Sequence, residues 1–191
     1  MVTEVLFVIV FSYILGSFPS GVIFSKIFSL GDIRKIGSGN TGTTNVLRTG
    51  NYSAAALTLI LDFSKACLAV YFTQVINEHL IILSSVFILL GHIFPIWIKF
   101  KGGKGFASYL GIISIINFYL FILISLIWII VFLLKRISSL SAIISSLSSI
   151  LLSVFFFNSS NLTIIIITLI IIATHHENIK RLINGSETKI K

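Results

Sequence analysis

Phe118-Tyr119-Leu120-Phe121-Ile122-Leu123-Ile124-Ser125-Leu126-Ile127-Trp128-Ile129-Ile130-Val131-Phe132-Leu133-Leu134 carries no charged side chain, and it is one of seven apolar runs in the chain. The others lie near 5–28, 53–76, 80–98, 105–116, 140–157 and 162–174. Most approach the ~20 residues a helix needs to cross a bilayer, and only 105–116 is short. With 56% hydrophobic and 10% charged residues, the chain cannot cover a water-soluble surface. In lipid the backbone polar groups find partners only in one another, so these runs predict an all-α, polytopic transmembrane helical bundle of about seven spans. No internal repeat or linker is visible, and residues 1–191 read as a single membrane domain.

The basic residues set the orientation. If Met1 lies outside, seven crossings put 30–52, 99–104, 135–139 and 175–191 on one side. Thirteen of the fourteen Lys and Arg then fall there or at its helix ends, Lys65 being the exception, while the opposite loops carry only Glu4, Glu78, His79 and uncharged polar residues. That side is the cytoplasm by the positive-inside rule, giving an outside N-terminus and a cytoplasmic C-terminus. Dropping 105–116 as a span would place Lys135-Arg136 outside; five spans, from merged runs, stay open. The first run has no basic residues before it and is read as a retained helix. The formal charge of +8 is explained by topology and anionic headgroups, so nucleic acid is not an expected partner. Cys67, within the second run, is assigned to packing.

Three polar patches gather at the cytoplasmic ends. The first is Gly37-Ser38-Gly39-Asn40-Thr41-Gly42-Thr43-Thr44-Asn45-Val46-Leu47-Arg48. Gly37, Gly39 and Gly42 let backbone N–H groups converge, Ser38, Asn40 and Asn45 add polar side chains, and Arg48 brings a permanent cation, so phosphate is the natural guest. Its G-x-G-x-x-G spacing lacks the strand and βαβ context of a dinucleotide site. The second patch joins Gly91-His92-Ile93-Phe94-Pro95 to Phe100-Lys101-Gly102-Gly103-Lys104-Gly105, where Gly103-Lys104 is expected to open the next helix and turn its N-terminus toward an anion. It is not a Walker motif, because Ile98 stands five before Gly103. In the third, His175-His176-Glu177-Asn178, His175 and Asn178 are one turn apart. Glu177 points elsewhere and is expected to pair with Arg181 or brace a loop.

Within the spans, Gly16-Ser17-Phe18-Pro19-Ser20-Gly21 predicts a kink or half-unwound turn, since Pro19 lacks a backbone donor. Asp62 and Lys65 share a helix face, as a proton path or as a neutralised pair that fixes packing; the packing role is preferred because no further carboxylates extend a path. Six scattered acidic residues do not supply the clustered carboxylates of a metal-dependent phosphatidyltransferase, so no metal is expected. A His-x-x-x-x-Asp acyltransferase pair is excluded too: Ser84, Trp97, Lys180 and Arg181 stand five after the four histidines.

Taken together, these patches resemble the bacterial membrane acyltransferases that move a fatty acyl group from acyl phosphate to the 1-hydroxyl of glycerol-3-phosphate. The resemblance covers nearly the whole chain, through Gly16 to Gly21, the 37–48 loop, Gly91-His92 with Phe94-Pro95, Phe100 to Gly105, Ser139-Leu140 and His175 with Glu177-Asn178-Ile179. Thr43 stands where Ala is usual, Ala66 where Gly is usual, and His176 where Arg is usual.

The resemblance implies a seven-span fold in the bacterial cytoplasmic membrane with a cytoplasmic-face site and no cofactor, metal or nucleotide. It implies lysophosphatidic acid and phosphate as products, in the first acylation of phospholipid synthesis. By analogy Ser38, the loop amides of Gly37, Gly39, Asn40, Gly42 and Asn45, and Arg48 bind phosphate and stabilise transition-state charge. Lys104 is a second cation beside Lys101, Gly102 and Gly103. His175 and Asn178 orient the glycerol hydroxyl or phosphate, and Ser139 adds a hydrogen bond. An acyl phosphate has a good leaving group, so anion holders matter more than a strong base. Glu177, His175 and a substrate phosphate oxygen all stand open as proton acceptor. The alternative is a transporter or channel for a small phosphorylated anion, which would place its site near the midplane. A scaffold is the third reading, but it would not need three glycine-cation patches.

Overall fold

Leucine, isoleucine and phenylalanine side chains satisfy lipid but offer the backbone no partner, and every apolar run closes its own hydrogen bonds as a helix. The computed structural model describes residues 2–157 and 161–190; the expectations for Met1 and Lys191 lie outside them. The helices are α1 (Val2–Gly16), α2 (Ser20–Ile27), α3 (Thr43–Leu47), α4 (Tyr52–Ile76), α5 (Ile81–Ile93), α6 (Phe106–Ile116), α7 (Phe118–Lys135), α8 (Ser138–Leu152), α9 (Asn161–Thr174) and α10 (His176–Ile183). Short 3-10 turns and one π-helical turn at Ser153–Phe157 are the only other regular elements among the described residues.

Five helical segments are long and apolar enough to cross a membrane, counting α1 with α2 as one; a sixth is obtained if α9 and α10, bent by 60°, form one span. The molecule is thus an all-α, multi-span membrane protein. The short run becomes α6, 11 residues and about 16 Å long against about 30 Å of hydrocarbon.

The chain divides into two compact units, Met1–Ile112 and Ile113–Lys191. In the first, α1 packs mainly along α5, and α4 contacts α1, α2, α3 and α5. Gly16 and Gly91 allow backbone-to-backbone approach, as a Cβ on either would strike the carbonyl of Ile88 or Tyr13. Cys67 donates its S–H to the Gly111 carbonyl at 3.4 Å, in keeping with a packing role.

The first span breaks where Pro19 predicts, leaving Ser17-Phe18-Pro19 non-helical between α1 and α2. Lys65, midway along α4, reaches the break: its Nζ donates to the carbonyls of Gly16 and Phe18, each at 2.9 Å, and lies 2.8 Å from Asp62 Oδ1. The expected Asp62–Lys65 pair is present and buried.

In the second unit α8 lies between α7 and α9. A seam of buried serines faces inward from α8, including Ser141, Ser145 and Ser149. Ser145 Oγ bonds back to the Ser141 carbonyl at 2.7 Å, and Ser149 Oγ lies 3.3 Å from Thr168 Oγ1 on α9. These hydroxyls satisfy themselves locally while their small volume brings the helices close.

Candidate active site

Asn45 builds the 37–48 loop from within. It is buried; its Oδ1 accepts from Ser38 N at 3.1 Å and Ser38 Oγ at 3.4 Å, and its Nδ2 donates to the carbonyls of Ile33 (2.7 Å) and Asn40 (2.8 Å). Both amide donors of Asn45 are therefore spent on loop shape. Gly37 sits at φ +54°, and a Cβ there would fall 2.7 Å from Asn45 Oδ1 and 2.8 Å from the Arg48 Cδ and Nη1. The half-buried Arg48 guanidinium is thus laid against the turn that carries the exposed Ser38. Two oxygens in the loop, Asn40 Oδ1 and Thr43 Oγ1, are buried without a hydrogen-bond partner. Gly42 precedes α3, and a Cβ on it would meet only open space.

Beside the loop, Asp32 caps the 3-10 turn Ile33–Lys35 and takes Arg34 in a two-pronged pair, Nε to Oδ1 at 2.8 Å and Nη2 to Oδ2 at 3.0 Å. The Arg34 hydrogen bonds hold the Asp32 carboxyl down at about 2.

The second patch is folded onto His92. Gly103 N donates to the His92 carbonyl and Gly102 N to that of Ile93, both at 3.0 Å, and Gly103 passes so near the imidazole that a Cβ would strike Nε2. Gly103-Lys104 does not itself begin the helix. Gly105, at φ +86°, supplies the carbonyl that accepts from Tyr109 N, and α6 starts at Phe106, so half-buried Lys104 stands just ahead of the first turn. Lys101 is exposed.

His92 Nδ1 lies 3.4 Å from Asp62 Oδ1 and 3.4 Å from Ser108 Oγ, while Ser108 donates to the Asp62 backbone carbonyl at 3.0 Å. Ser20 Oγ donates to Asp62 Oδ1 at 2.7 Å. Together Phe18, Ser20, Thr41, Asp62, His92 and Pro95 line one cleft, joining the broken span to the first two patches.

The third patch lies in the second unit, at the bend between α9 and α10. His175 Nδ1 is 2.8 Å from the Ile171 carbonyl, and because a carbonyl only accepts, this contact places a proton on Nδ1. His175 and Asn178 are both buried. Glu177 departs from expectation: it pairs with Lys180 at 3.1 Å and His176 at 3.0 Å, not with Arg181. Arg181 is drawn off by Glu187, a residue that sequence reasoning missed.

Glu187 Oε1 accepts from Ser139 Oγ at 2.8 Å and Asn178 Nδ2 at 2.7 Å, and Oε2 from Arg181 Nε at 2.6 Å. Burial pushes its carboxyl up, but the bonds from Arg181, Asn178 and Ser139 outweigh this and hold it below the usual range. Ser139 and Asn178 thus meet around a carboxylate of the chain's own tail. The one available signal was a lone acidic residue in a basic tail.

The glycerol-3-phosphate acyltransferase family model matches residues 6–185. A glycerol-3-phosphate acyltransferase of Pelagibacter ubique is 46% identical over 188 residues, covering 98% of each chain. One of Ehrlichia canis is 46% identical over 186 residues, covering 96% of this chain and 97% of its own. The crystal structure of PlsY, an integral membrane glycerol 3-phosphate acyltransferase, in its glycerol 3-phosphate form superposes with a TM-score of 0.92 at 32% identity, covering 98% of this chain and 96% of the other. Its lysophosphatidic acid form gives 0.88 at 31% identity, covering 98% and 95%. A glycine loop laid against an arginine, a histidine-braced lysine segment and a buried histidine-asparagine pair thus occur in a chain that matches these proteins from end to end, and it belongs to the integral-membrane glycerol-3-phosphate acyltransferase family.

Proposed function

We propose that this acyltransferase takes its fatty acyl group from acyl phosphate and places it on the 1-hydroxyl of glycerol-3-phosphate, giving lysophosphatidic acid and phosphate. The glycerol oxygen attacks the acyl carbon, the carbon–oxygen bond to phosphate breaks, and the hydroxyl proton leaves with a phosphate oxygen. The observation that carries this reading is the 37–48 loop, where Arg48 lies against Gly37 beside the exposed Ser38 and the buried Thr43 hydroxyl has no hydrogen-bond partner. Such a loop is prepared for a polar anion and needs little rearrangement to hold growing charge.

Ser38, Arg48 and the amides of Gly37, Gly39, Asn40 and Gly42 hold phosphate, with Asn45 shaping the loop. Lys104 adds charge, supported by Lys101 and by the close turn at Gly102 and Gly103. His175 and Asn178 orient glycerol-3-phosphate, with Ser139 beside them. Residues 1–191 act as one acyltransferase domain in the bacterial cytoplasmic membrane. It has seven crossings, an outside N-terminus, a cytoplasmic C-terminus and its site on the cytoplasmic face; the distribution of basic residues supports this orientation.

The test is direct. Purified protein is incubated with glycerol-3-phosphate and acyl phosphate, acyl-CoA or acyl carrier protein, with and without chelator, and lysophosphatidic acid is measured. Product with acyl phosphate alone, unaffected by chelator, is expected. Efficient turnover with acyl-CoA alone would overturn the donor assignment.

A further inference from the structure

A helix that stops inside a membrane exposes carbonyls at one end of the break and N–H groups at the other, with a partial negative charge on the first and a partial positive charge on the second. Lipid supplies a partner to neither. At the break between α1 and α2 one pair of side chains from α4 meets the exposed carbonyls directly and the start of α2 through the Ser20 hydroxyl. The Lys65 ammonium has three N–H donors, and the structure gives it three acceptors: the Gly16 carbonyl, the Phe18 carbonyl and Asp62 Oδ1. Asp62 faces the other end, where Ser20, the first residue of α2, donates its hydroxyl to Oδ1 at 2.7 Å. The cation lies against the carbonyls of the break and the anion beside the first residue of α2, the order that the dipoles of two half-helices favour.

The same carboxylate touches what lies beyond the break. Next to Ser20, Gly21 is pressed against the Thr41 carbonyl so closely that a Cβ would strike it, so the start of α2 fixes the height of the 37–48 loop. Farther along, Phe24 and Phe28 pack on the buried cluster of Ile33, Val46, Ala54 and Ala55 beneath that loop. On the other side, His92 stands 3.4 Å from Asp62 Oδ1, and Gly103 is seated on its ring.

From this arrangement we infer that Ser20, Asp62 and Lys65 are positioning residues: the charge pair holds the first span broken and thereby sets both the 37–48 loop and the Gly102–Lys104 segment for the acyl transfer. The inference rests on these two segments being the phosphate-binding parts of the site. A pair that served only to glue helices together could be exchanged for well-packed apolar side chains without loss of activity. A pair that caps the break could not, because the Gly16 carbonyl would lose its Lys65 donor and the Phe18 carbonyl and Ser20 hydroxyl would lose their ties to α4.

Three variants decide it, assayed in detergent for kcat, for KM of glycerol-3-phosphate and for thermal unfolding. Ser20→Ala leaves the Asp62–Lys65 pair and both carbonyl caps in place and removes only the tie to the start of α2. It should stay folded with only a modestly lowered melting temperature while kcat/KM, measured well below that temperature, falls at least about fivefold, since small misplacements of reacting groups are expensive in rate. The double variant Asp62→Leu with Lys65→Met, where it folds, should lose at least about thirtyfold in kcat at saturating substrate. Wild-type kcat and KM in Ser20→Ala, or wild-type turnover in a folded double variant, would overturn the inference; if the double variant does not fold, Ser20→Ala decides alone. Arg48→Ala is the control for the reading beneath it. If Arg48→Ala stays active, the phosphate has been assigned to the wrong loop. If Arg48→Ala is inactive while Ser20→Ala is normal, only the positioning role fails.

Discussion

Arg48 and Ser38 carry the sharpest expectation at the scale of single residues. A group that stabilises charge developing in the transition state lowers turnover when removed, whereas one that only tethers substrate lowers affinity. Arg48→Ala and Ser38→Ala should each reduce kcat/KM by ~10²-fold or more in protein that is still folded. Arg48→Lys should not restore the loss, because lysine keeps the charge but not the planar fork. Steady-state kinetics on membrane-inserted protein check both. Gly37 and Gly42 make a paired test. Gly37→Ala would collide with Asn45 and Arg48 at a left-handed φ and should lose both stability and activity. Gly42→Ala meets open space at φ −79° and should fold normally. If substrate approaches the Gly42 amide, its KM should rise while its melting temperature stays put; an unchanged KM would remove Gly42 from the binding loop.

At the scale of elements, the tail around Glu187 is the clearest case. The lowered carboxyl means that the bonds to Arg181, Asn178 and Ser139 favour the charged form. A group whose folded value is depressed contributes stability that is fully present above its ordinary value of 4.5 and lost as pH falls through the lowered folded value. Glu187→Gln should therefore melt below the wild type near pH 7, with a deficit of about 1–3 kcal/mol, and the gap should close as pH drops below that range. Thermal scans from pH 7 to 3.5 check this, and a gap that widens toward acid would contradict it.

The same tail shows what sequence reads and what it does not. The break at Pro19 was legible because proline lacks a donor, and the Asp62–Lys65 pair because residues three apart on a helix share a face. Pairing Glu177 with Arg181 used the same local rule and failed, since Arg181 is claimed by a carboxylate six residues on, outside the helix. The His92–Asp62 contact spans thirty positions and has no periodicity to announce it. The loop's glycines led to the proposal of an anion site, but the inward turn of Asn45, and its commitment to Ile33 and Asn40, depends on carbonyl directions that only the folded backbone fixes.

For the whole molecule, the prediction concerns sidedness. With seven crossings, single cysteines at positions 50, 102 and 187 should react with a membrane-impermeant reagent only from the cytoplasmic side, and those at 2, 78 and 117 only from outside. Position 159, also expected outside, lies beyond the described residues. External labelling at 102 would overturn both the orientation and the proposed cytoplasmic site. Transport of a phosphorylated anion makes the opposite demand, uptake into sealed vesicles without an acyl donor, and none is expected.

The broken first span also bears on how the protein is made. α4 is the least apolar of the five helical segments long enough to cross a membrane among the described residues, and it holds Asp62 and Lys65 near its middle. On insertion scales each such charge at a helix centre costs about 2.5–3.5 kcal/mol. Their closest partners outside α4 are the Gly16 and Phe18 carbonyls and the Ser20 hydroxyl, all synthesised earlier in the chain, whereas His92 follows later. The translocon should therefore release α4 into lipid efficiently only when the first span is waiting beside it, which makes the split helix a local chaperone for the next. In an insertion reporter, α4 alone should integrate poorly, and preceding it with residues 1–51 should raise its integration unless Lys65 and Asp62 have been made apolar.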